Sequence, residues 1–373
     1  MSDADKRGIE IQPAFRAAGS DAADWRQAVA DCVERLGPSP AGGLGVVYAT
    51  DAFGDKLPAI VELLTERTGV NAWVGTVGFG VIANNQAYYD RPGLAVMLAP
   101  IKEREFALFD CVPPPAPPNA NVPPVALVHM DPRSAGASDL LKDIARGSGA
   151  FLVGGSTAAR GDRFDQVAGM ITDGGVSGVV FAPGVAAATG LSQGCAPIGP
   201  TRRITRVVEN IITEIDGAPA LEALRADLTD AGLPVENLRR MGGLIFAGFP
   251  VSNSDTGDYV VANLVGVDEE KGWIAVAEDV GDHDSILFCR RDRIAAEADL
   301  TFMARRVRAR AGDVRGAVYV TCLARGPHTF ASAKAEVALL QEALGDAPLV
   351  GFFANGEISQ ERLYRYTGVL TVF

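Results

Sequence analysis

Cysteine is scarce and irregularly placed in this sequence. The five cysteines are scattered and include no C-x-x-C pair: Cys32, Cys111, Cys195, Cys289 and Cys322. An odd number at irregular spacing argues against a disulfide framework and against a structural zinc site. We therefore expect reduced thiols and a cytoplasmic protein. For Cys195 the expected state is a small buried thiol, because free cysteines are among the most buried residues.

Positive charge and long apolar runs are also lacking. The 373 residues include 34 Lys and Arg against 46 Asp and Glu, which gives a net charge of −12. Nucleic acids and anionic membranes are held by clustered positive charge, so neither is an expected partner. The longest uncharged run, residues 174–201, is interrupted by glycines and prolines, and the N-terminus has no apolar core of a secretion signal. These features predict a protein without a membrane partner.

Common catalytic motifs are absent as well. The sequence contains no G-x-S-x-G nucleophile elbow, P-loop, H-E-x-x-H pair or G-x-G-x-x-G dinucleotide fingerprint. A hydrolase or transferase would need Ser156 or Cys195 as its nucleophile, and the sequence assigns no base to either. Asp282-His283-Asp284 lies in a predicted turn without further paired ligands, so no metal site is expected. We predict that the protein is not an enzyme and requires no cofactor.

The sequence does contain one β-α-β pattern three times. Each copy begins with an apolar strand, continues through a polar turn into a helical pattern, and ends in a glycine-rich strand. The first strands cover residues 44–48, 125–129 and 317–321, the helices 56–67, 138–146 and 332–344, and the glycine-rich strands 74–82, 152–158 and 350–358. Parallel strands need such a crossover, which is almost always right-handed. The pattern therefore predicts an α/β fold with repeated β-α-β units.

The glycine-rich strands also carry the candidate ligand-binding residues. The strand ends of repeated right-handed units gather at one edge, where open α/β sheets bind ligands. The polar groups and glycines at these turns suit a small polar molecule: Thr76, Gly78, Gly154, Gly155, Ser156, Thr157, Asn355, Gly356 and Glu357. We expect the Glu357 carboxylate to accept a ligand ammonium. The alternative for Glu357 is a helix cap or an ion pair with Arg362 or Arg365.

Length and composition predict two domains, because 373 residues exceed what one hydrophobic core usually holds. We expect an N-terminal extension with a first helix at residues 1–39, a first domain at 40–218 and a second at 219–373. Short strands with hairpin turns at 243–289 predict an antiparallel insertion in the second domain, and with it mixed sheets. The proline-rich stretch 112–124 is expected to be a stiff connecting loop, with a PxxP ligand as the alternative.

These motifs together resemble the FIST family of bacterial sensory modules, which consist of a FIST N and a FIST C domain. The matching segments follow the order of the family: Val74-Gly75-Thr76 to Val81-Ile82, Leu152-Val153-Gly154-Gly155-Ser156, Gln193 to Pro200, Asp216 to Ala220, Gly351 to Ile358 and Tyr366 to Leu370. The resemblance implies sensing of small ligands, typically amino acids, with output through kinases, cyclases or chemotaxis receptors. No residues are left for a transmitter domain, so we expect a stand-alone protein that signals through a partner.

The resemblance also implies an alternative, because some FIST-like proteins are haem-binding nitric oxide sensors. The candidate axial ligands are then His129, His283 and His328. No haem-attachment motif accompanies them, and our first interpretation is a cytoplasmic sensor for an amino acid or a similar metabolite. We expect its pocket between the two domains, where the second and third glycine-rich turns face each other.

Overall fold

The structure is a computed structural model, and it describes residues 14–38, 42–115, 122–235, 243–251, 257–281 and 283–373. Four predicted features lie partly outside these ranges: the N-terminal extension at residues 1–39, the centre of the proline-rich stretch, the start of the hairpin turn at residues 255–258, and Asp282 of the Asp-His-Asp turn. The predicted α/β class, with repeated β-α-β units, mixed sheets and an antiparallel insertion, is confirmed.

The helices of the described ranges include those of the three predicted β-α-β units, each within two residues of its predicted bounds. They are α1 (Trp25–Leu36), α2 (Leu57–Thr68), α3 (Ala137–Ser148), α4 (Ala220–Asp230), α5 (Arg293–Ala311), α6 (Gly326–Thr329) and α7 (Ala333–Leu344). Local signals set where several of them begin. The side chains of Asp24, Asp292 and Ser332 accept a hydrogen bond from the first turn of α1, α5 and α7, respectively. Each satisfies a backbone N–H that has no partner inside its helix.

The strands fall into three runs along the chain. The first run is β1 (Arg16–Ser20), β2 (Leu44–Thr50), β3 (Ala72–Gly78), β4 (Gly80–Ala83), β5 (Gln86–Tyr89), β6 (Leu94–Ala99), β7 (Phe106–Asp110), β8 (Val125–Met130), β9 (Phe151–Ser156), β10 (Gln166–Ala168), β11 (Ile171–Thr172), β12 (Val176–Phe181) and β13 (Ala188–Gln193). The second is β14 (Cys195–Pro197), β15 (Arg202–Val208), β16 (Ile211–Ile215), β17 (Ala218–Pro219), β18 (Ile245–Pro250), β19 (Tyr259–Asp268), β20 (Trp273–Val276) and β21 (Ser285–Arg291). The third is β22 (Ala317–Cys322), β23 (Leu349–Ala354), β24 (Glu357–Ser359), β25 (Arg362–Tyr364) and β26 (Thr367–Val372).

Three six-stranded sheets form around the three predicted units, β2-α2-β3 (unit 1), β8-α3-β9 (unit 2) and β22-α7-β23 (unit 3). The strand orders are β1-β6-β2-β3-β10-β11 in sheet 1, β25-β24-β9-β8-β12-β7 in sheet 2 and β13-β26-β22-β23-β4-β5 in sheet 3. In each sheet the strands of the unit itself are parallel, and all other pairs are antiparallel. Each unit thus lies at the centre of one sheet.

The three sheets share one apolar core, and helices cover their other faces. Tyr48 of sheet 1, Leu127 of sheet 2 and Phe352 of sheet 3 all belong to the shared core. Further apolar clusters join α1 and α2 to sheet 1, α3 to sheet 2, and α5 and α7 to sheet 3. Because fully burying one large apolar side chain contributes about 1.5–3 kcal/mol, the common core holds the three units together.

The hairpin that follows the glycine-rich strand of each unit pairs with a strand of a neighbouring sheet. The hairpin β4–β5 of unit 1 pairs with β23, β10–β11 of unit 2 pairs with β3, and β24–β25 of unit 3 pairs with β9. The chain then returns, so that β6, β12 and β26 pair with the first strand of their own unit. Segments 74–82 and 350–358, predicted as a glycine-rich strand that runs into a turn, each continue into a second strand after that turn. Each is two strands in different sheets, because the chain leaves its own sheet at Phe79 and at Asn355.

The predicted antiparallel strands form a barrel, which lies between β13 and α5 in the chain. Six strands follow one another in the order β21-β15-β16-β20-β19-β18, and β18 pairs with β21 to close the ring. Helix α4 packs into the barrel core through Leu221, Leu224 and Leu228. The predicted division at residue 218 passes through the barrel, since β15 and β16 precede it and β18 to β21 follow it. The described residues therefore pack into two bodies, the three-sheet core and the barrel.

Candidate functional site

The three glycine-rich strand ends meet in a ring of backbone hydrogen bonds. The N–H groups of Phe79, Ala158 and Asn355 donate to the carbonyl oxygens of Phe353, Val77 and Ser156 at 3.1, 3.2 and 3.0 Å, respectively. Each unit donates to one neighbour and accepts from the other. The structure thus brings the three predicted turns together at one place.

The polar groups of these turns bond one another. The hydroxyl oxygens of Thr76 and Thr157 are 2.7 Å apart, and the Ser156 N–H donates to the Gly356 carbonyl oxygen at 2.8 Å. The Ser156 hydroxyl donates to the Met130 carbonyl at 3.3 Å. Among the nine predicted site residues Asn355 is exposed, whereas the other eight are buried. Most polar groups of the expected ligand-facing edge are therefore engaged within the protein, although Oε1 of Glu357 has no hydrogen-bond partner among the described residues.

The glycines allow these strands to approach one another closely. Gly154 and Gly356 have φ of 143° and 120°, which side chains rarely adopt. A Cβ at Gly154 would lie 1.9 Å from the Val128 carbonyl oxygen, and one at Gly155 would lie 2.9 Å from the Gly356 carbonyl oxygen. A Cβ at Gly78 would lie 2.8 Å from the Gly80 carbonyl oxygen. Packing of backbone on backbone explains these glycines without a ligand.

In units 1 and 2 an arginine binds an aspartate at the carboxyl end of the parallel pair. Asp51, directly after β2, accepts from the backbone N–H and Nε of Arg160 at 3.0 and 2.7 Å. Asp131, directly after β8, accepts from the backbone N–H and Nε of Arg133 at 2.7 and 3.0 Å. Unit 3 has Arg325 three residues after β22, and its side chain is fully buried. Cations of the chain itself therefore occupy positions where open α/β sheets commonly bind anionic ligands.

Glu357 lies in β24 and is fully buried. Its Oε2 accepts from the backbone N–H and the hydroxyl of Thr367 at 3.2 and 2.7 Å. Neither expected alternative is present among the described contacts: Glu357 is in a strand rather than at a helix end, and Arg365 instead lies 3.4 Å from Glu278. Burial raises the pKa of Glu357 to about 8, which opposes the effects of the Thr367 hydrogen bonds and of Arg325.

The guanidinium of Arg325 is the centre of a buried polar network. Its Nη1 donates to the Ser192 carbonyl at 2.8 Å and its Nη2 to the Ser192 hydroxyl at 3.2 Å. Its Nε lies 3.2 Å from Oε1 of Glu336, without the alignment of a hydrogen bond. The same Glu336 oxygen accepts from the hydroxyls of Tyr319 and Thr321 at 2.8 and 2.7 Å. Buried charge is thus paired, as its desolvation requires.

A cleft of about 520 Å³ opens beside this network, between β13, α5 and the barrel. Its lining includes Thr189, Gln193, Cys195, Tyr259, Asp299, Phe302, Arg306 and Arg310. The volume is in the range of small-molecule sites, and the lining combines apolar surface with a few polar groups. The expectation of a pocket between the two predicted domains agrees with this position. The second and third glycine-rich turns, however, do not line the cleft.

Asp299 is one of two partly buried carboxylates that line the cleft, and Asp258 is the other. Oδ2 of Asp299 accepts from the Gln193 N–H at 2.7 Å, and the Ser192 side chain also hydrogen-bonds to Asp299. Burial raises the pKa of Asp299 above that of a free aspartate. Sequence reasoning missed this residue, although one signal was available. Asp299 lies one and two helical turns before the buried Met303 and Val307, so it is a carboxylate at the margin of an apolar helix face.

Comparison with protein families gives two matches that together span most of the chain. A model described as FIST N domain matches residues 43–218, and one described as FIST C domain matches residues 220–360. The chain belongs to the FIST family. FIST domains are sensory modules that bind small ligands in signal transduction.

Curated relatives share this architecture. An uncharacterised protein of Mycobacterium bovis is 29% identical over 389 aligned positions, covering 98% of this chain and 97% of the relative. An uncharacterised protein of Mycobacterium tuberculosis is 28% identical over 377 positions, covering 95% of this chain and 98% of the relative. Among the described residues, no helix is long and apolar enough to cross a membrane.

The three histidines of this FIST protein lie in unrelated environments. His129 is fully buried among Tyr48 and Phe352, with Nε2 3.2 Å from the Tyr48 hydroxyl, and burial lowers its pKa to about 3. His283 stacks on Phe249 of the barrel, and His328 is exposed on α6. None of them is among the described residues that line the cleft. This donor set does not fit an axial haem ligand beside the cleft.

The two candidate nucleophiles are packed rather than activated. Ser156 is fully buried and donates its hydroxyl to a backbone carbonyl, not to a base. Cys195 is 5% exposed and faces Cys289 of the neighbouring strand, whose pKa is raised by the Cys195 side chain and by burial.

Proposed function

We propose that this FIST protein is a cytoplasmic sensor of an amino acid or a similar small zwitterion, and that the cleft between β13, α5 and the barrel is its ligand site. The observation that carries the proposal is the charge pattern of one helix face. Asp299 offers a carboxylate to a ligand cation, and Arg306 and Arg310 offer guanidinium groups to a ligand anion. A zwitterion satisfies both.

The environment of these groups supports selective binding. Asp299 is partly withdrawn from water, and a hydrogen bond to a charged partner there contributes about 1.5–3 kcal/mol. Arg306 packs over the Phe302 ring at 5.5 Å, and Arg310 donates to the Thr189 carbonyl, so both guanidinium groups are held at the cleft. Asp299 and Arg306 are separated by roughly 10 Å along the helix axis at about 1.5 Å per residue. The ligand panel should therefore include ω-amino acids beside α-amino acids.

The experiment is a thermal-shift panel of α- and ω-amino acids with two control sets, N-acetylated amino acids and decarboxylated amines. A ligand that binds only the folded state stabilises it by about 2.7 kcal/mol at one hundred times its Kd. We expect at least one zwitterion to raise Tm and both control compounds to lose the effect. If no compound of the panel raises Tm at millimolar concentration, the ligand class is wrong.

Matched arginine variants test the site itself. Arg306→Gln removes a cleft guanidinium, whereas Arg305→Gln removes an exposed one on the same helix that does not line the cleft. We expect the first variant to weaken binding of the zwitterion about ten-fold or more, or about 1.4 kcal/mol, and the second to leave Kd unchanged. Equal effects of the two would exclude this cleft.

We also propose that this protein passes its signal to a separate protein. A kinase, a cyclase or a chemotaxis receptor is the expected partner class, as in the family. Nucleic acid and membrane are not proposed as partners, since the net charge is −12. Direct ligand contacts of Glu357 and of the three glycine-rich turns stay a prediction that is separate from the proposed cleft site.

A further inference from the structure

Gln193, the last residue of β13, is fixed at three points in the wall of the cleft. Its backbone N–H donates to Oδ2 of Asp299 on α5 at 2.7 Å. Its side-chain Nε2 donates to the carbonyl oxygen of Tyr259, the first residue of β19, at 3.2 Å. The strand register pairs it with Thr367 of β26. These contacts hold Gln193 between α5 and the barrel, where it lines the cleft.

The side-chain oxygen of Gln193 has no hydrogen-bond partner among the described residues. The contact with Tyr259 sets the orientation of the amide, because a carbonyl oxygen accepts hydrogen bonds and must face the nitrogen. Oε1 is therefore turned away from the Tyr259 carbonyl, and it is also shielded from bulk water. Buried polar groups are nearly always satisfied, so this atom is a candidate for contact with a bound molecule.

Two carboxylates lie next to Gln193 in the lining of the cleft. Asp299 accepts the Gln193 backbone N–H, and Asp258 directly precedes Tyr259, whose carbonyl holds the Gln193 amide. Asp258, Asp299 and Gln193 all line the cleft. Three side chains thus supply oxygen acceptors at this end of the cleft. A primary ammonium group carries three N–H donors, so it matches such a set in both charge and hydrogen bonding.

We propose that Gln193 selects the primary ammonium group of the ligand, with one N–H donated to Oε1 of Gln193 and the others to Asp258 and Asp299. The inference rests on the ligand site proposed above and specifies the cationic end of the ligand. An N-methyl group in place of that N–H would leave Oε1 buried against carbon without a hydrogen bond. N-methylation keeps the positive charge, so the carboxylates by themselves would not discriminate. The cleft should therefore bind amino acids with an unsubstituted amino group and reject their N-methyl derivatives.

The aromatic residues of the cleft offer less to a quaternary ammonium group. Such cations are recognised by the faces of aromatic rings. The ring of Phe302, which lines the cleft, already carries the guanidinium of Arg306 at 5.5 Å. The oxygen acceptors around Gln193 are therefore the favoured recognition groups for the ligand cation.

The first experiment compares ligands on the wild-type protein. Each α- or ω-amino acid that raises Tm is titrated by calorimetry beside its N-methyl and N,N,N-trimethyl derivatives. We expect one N-methyl group to weaken binding about ten-fold or more, or about 1.4 kcal/mol, and the trimethyl derivative to bind weaker still. An N-methyl derivative that binds within about three-fold of its parent overturns the proposed selection. Tighter binding of the trimethyl derivative overturns it as well, in favour of recognition by aromatic rings.

The second experiment removes the oxygen acceptor. Gln193→Met keeps the length of the side chain, and it should weaken binding of the parent amino acid about ten-fold while the parent and its N-methyl derivative come within about three-fold of each other. An equal loss for both ligands would show a merely structural role and overturn the selection. If Gln193→Met does not fold, Gln193→Leu takes its place, and the wild-type comparison stands without either variant.

Gln341→Met is the matched control. Gln341 also has a buried Oε1 without a partner among the described residues, and its Nε2 also donates to a backbone carbonyl, that of Ala347 at 3.1 Å. It lies on α7 and is not among the residues that line the cleft. We expect both Kd values to stay unchanged in this variant, and a loss of selection there would overturn the assignment to Gln193.

The outcomes separate this inference from the proposed function. If no amino acid of the panel binds, the ligand class fails and the selection by Gln193 fails with it. If amino acids bind and N-methylation has no effect, the ligand class stands and only the role of Gln193 is overturned.

Discussion

Glu357 and Gln166 occupy matching positions in two hairpins, and each side chain holds the first part of the following long strand. Glu357 accepts from the N–H and hydroxyl of Thr367, and Gln166 accepts from the N–H and hydroxyl of Ser177. Both hairpins have moved to a neighbouring sheet, so these bonds fasten each exchanged hairpin to the strand that leads back. Glu357→Gln and Gln166→Glu therefore test the same position in two hairpins.

Glu357→Gln should flatten the pH dependence of stability. Glu357 has a pKa of about 8 when folded and an ordinary value of 4.5, so between these values the folded state holds a proton that the unfolded state has lost. Stability therefore falls as pH rises from 4.5 to 8, by at most about 1.4 kcal/mol per unit. Glutamine cannot ionise and keeps the acceptor for Thr367. We expect the variant to be more stable than the wild type at pH 8 by roughly 1–3 kcal/mol, measured by denaturant titration. A variant that is less stable at that pH would contradict the assignment.

Gln166→Glu should have the opposite effect. The Gln166 amide nitrogen lies 3.4 and 3.5 Å from the carbonyl oxygens of Gly174 and Gly175, and a carboxylate there would face two acceptors without a proton to donate. We expect a loss of about 1–3 kcal/mol in unfolding free energy at pH 8. The loss should shrink at pH 5, where the new acid is protonated. Equal losses at both pH values would show that charge is not the cause.

Gly154→Ala should destabilise the core through the backbone. At φ of 143° and with 1.9 Å between the new Cβ and the Val128 carbonyl oxygen, alanine forces the parallel pair of unit 2 apart. We expect a loss of more than about 3 kcal/mol or failure to fold. The control is Gly161→Ala, where a Cβ meets no atom within 4 Å. That variant should remain within about 0.5 kcal/mol of the wild type in the same thermal and denaturant measurements.

Hemin titration should give no saturable, one-to-one Soret shift. His129 is sealed in the core, His283 stacks on Phe249, and His328 is exposed away from the lining of the cleft. Axial ligation needs an accessible imidazole at the edge of an apolar pocket. A sharp shift that disappears on replacing one of the three histidines would restore the haem sensor as the leading function.

Much of the fold follows from local pattern. The three β-α-β units were predictable because apolar runs of strand length alternate with amphipathic helical segments, and capping residues such as Asp292 and Ser332 mark helix starts. The family also follows from motifs in sequence order. The position of the ligand site did not follow from local pattern in the same way. Polar residues beside glycines signal either a ligand or tightly packed backbones, and long-range contacts such as that of Thr76 with Thr157 favour the second.

What the sequence by itself determined is the set of elements, because hydrophobic period and turn chemistry act over a few residues. Tertiary structure alone decided which sheet each hairpin joins, since that choice depends on contacts such as Glu357 with Gly155, far apart in the chain. Tertiary structure also decided which residues form the cleft. Asp299 and Gln193 are separated by 106 residues and form one wall only after the barrel between them closes. Long-range packing selects these pairings, because each buries polar groups that no local segment satisfies by itself.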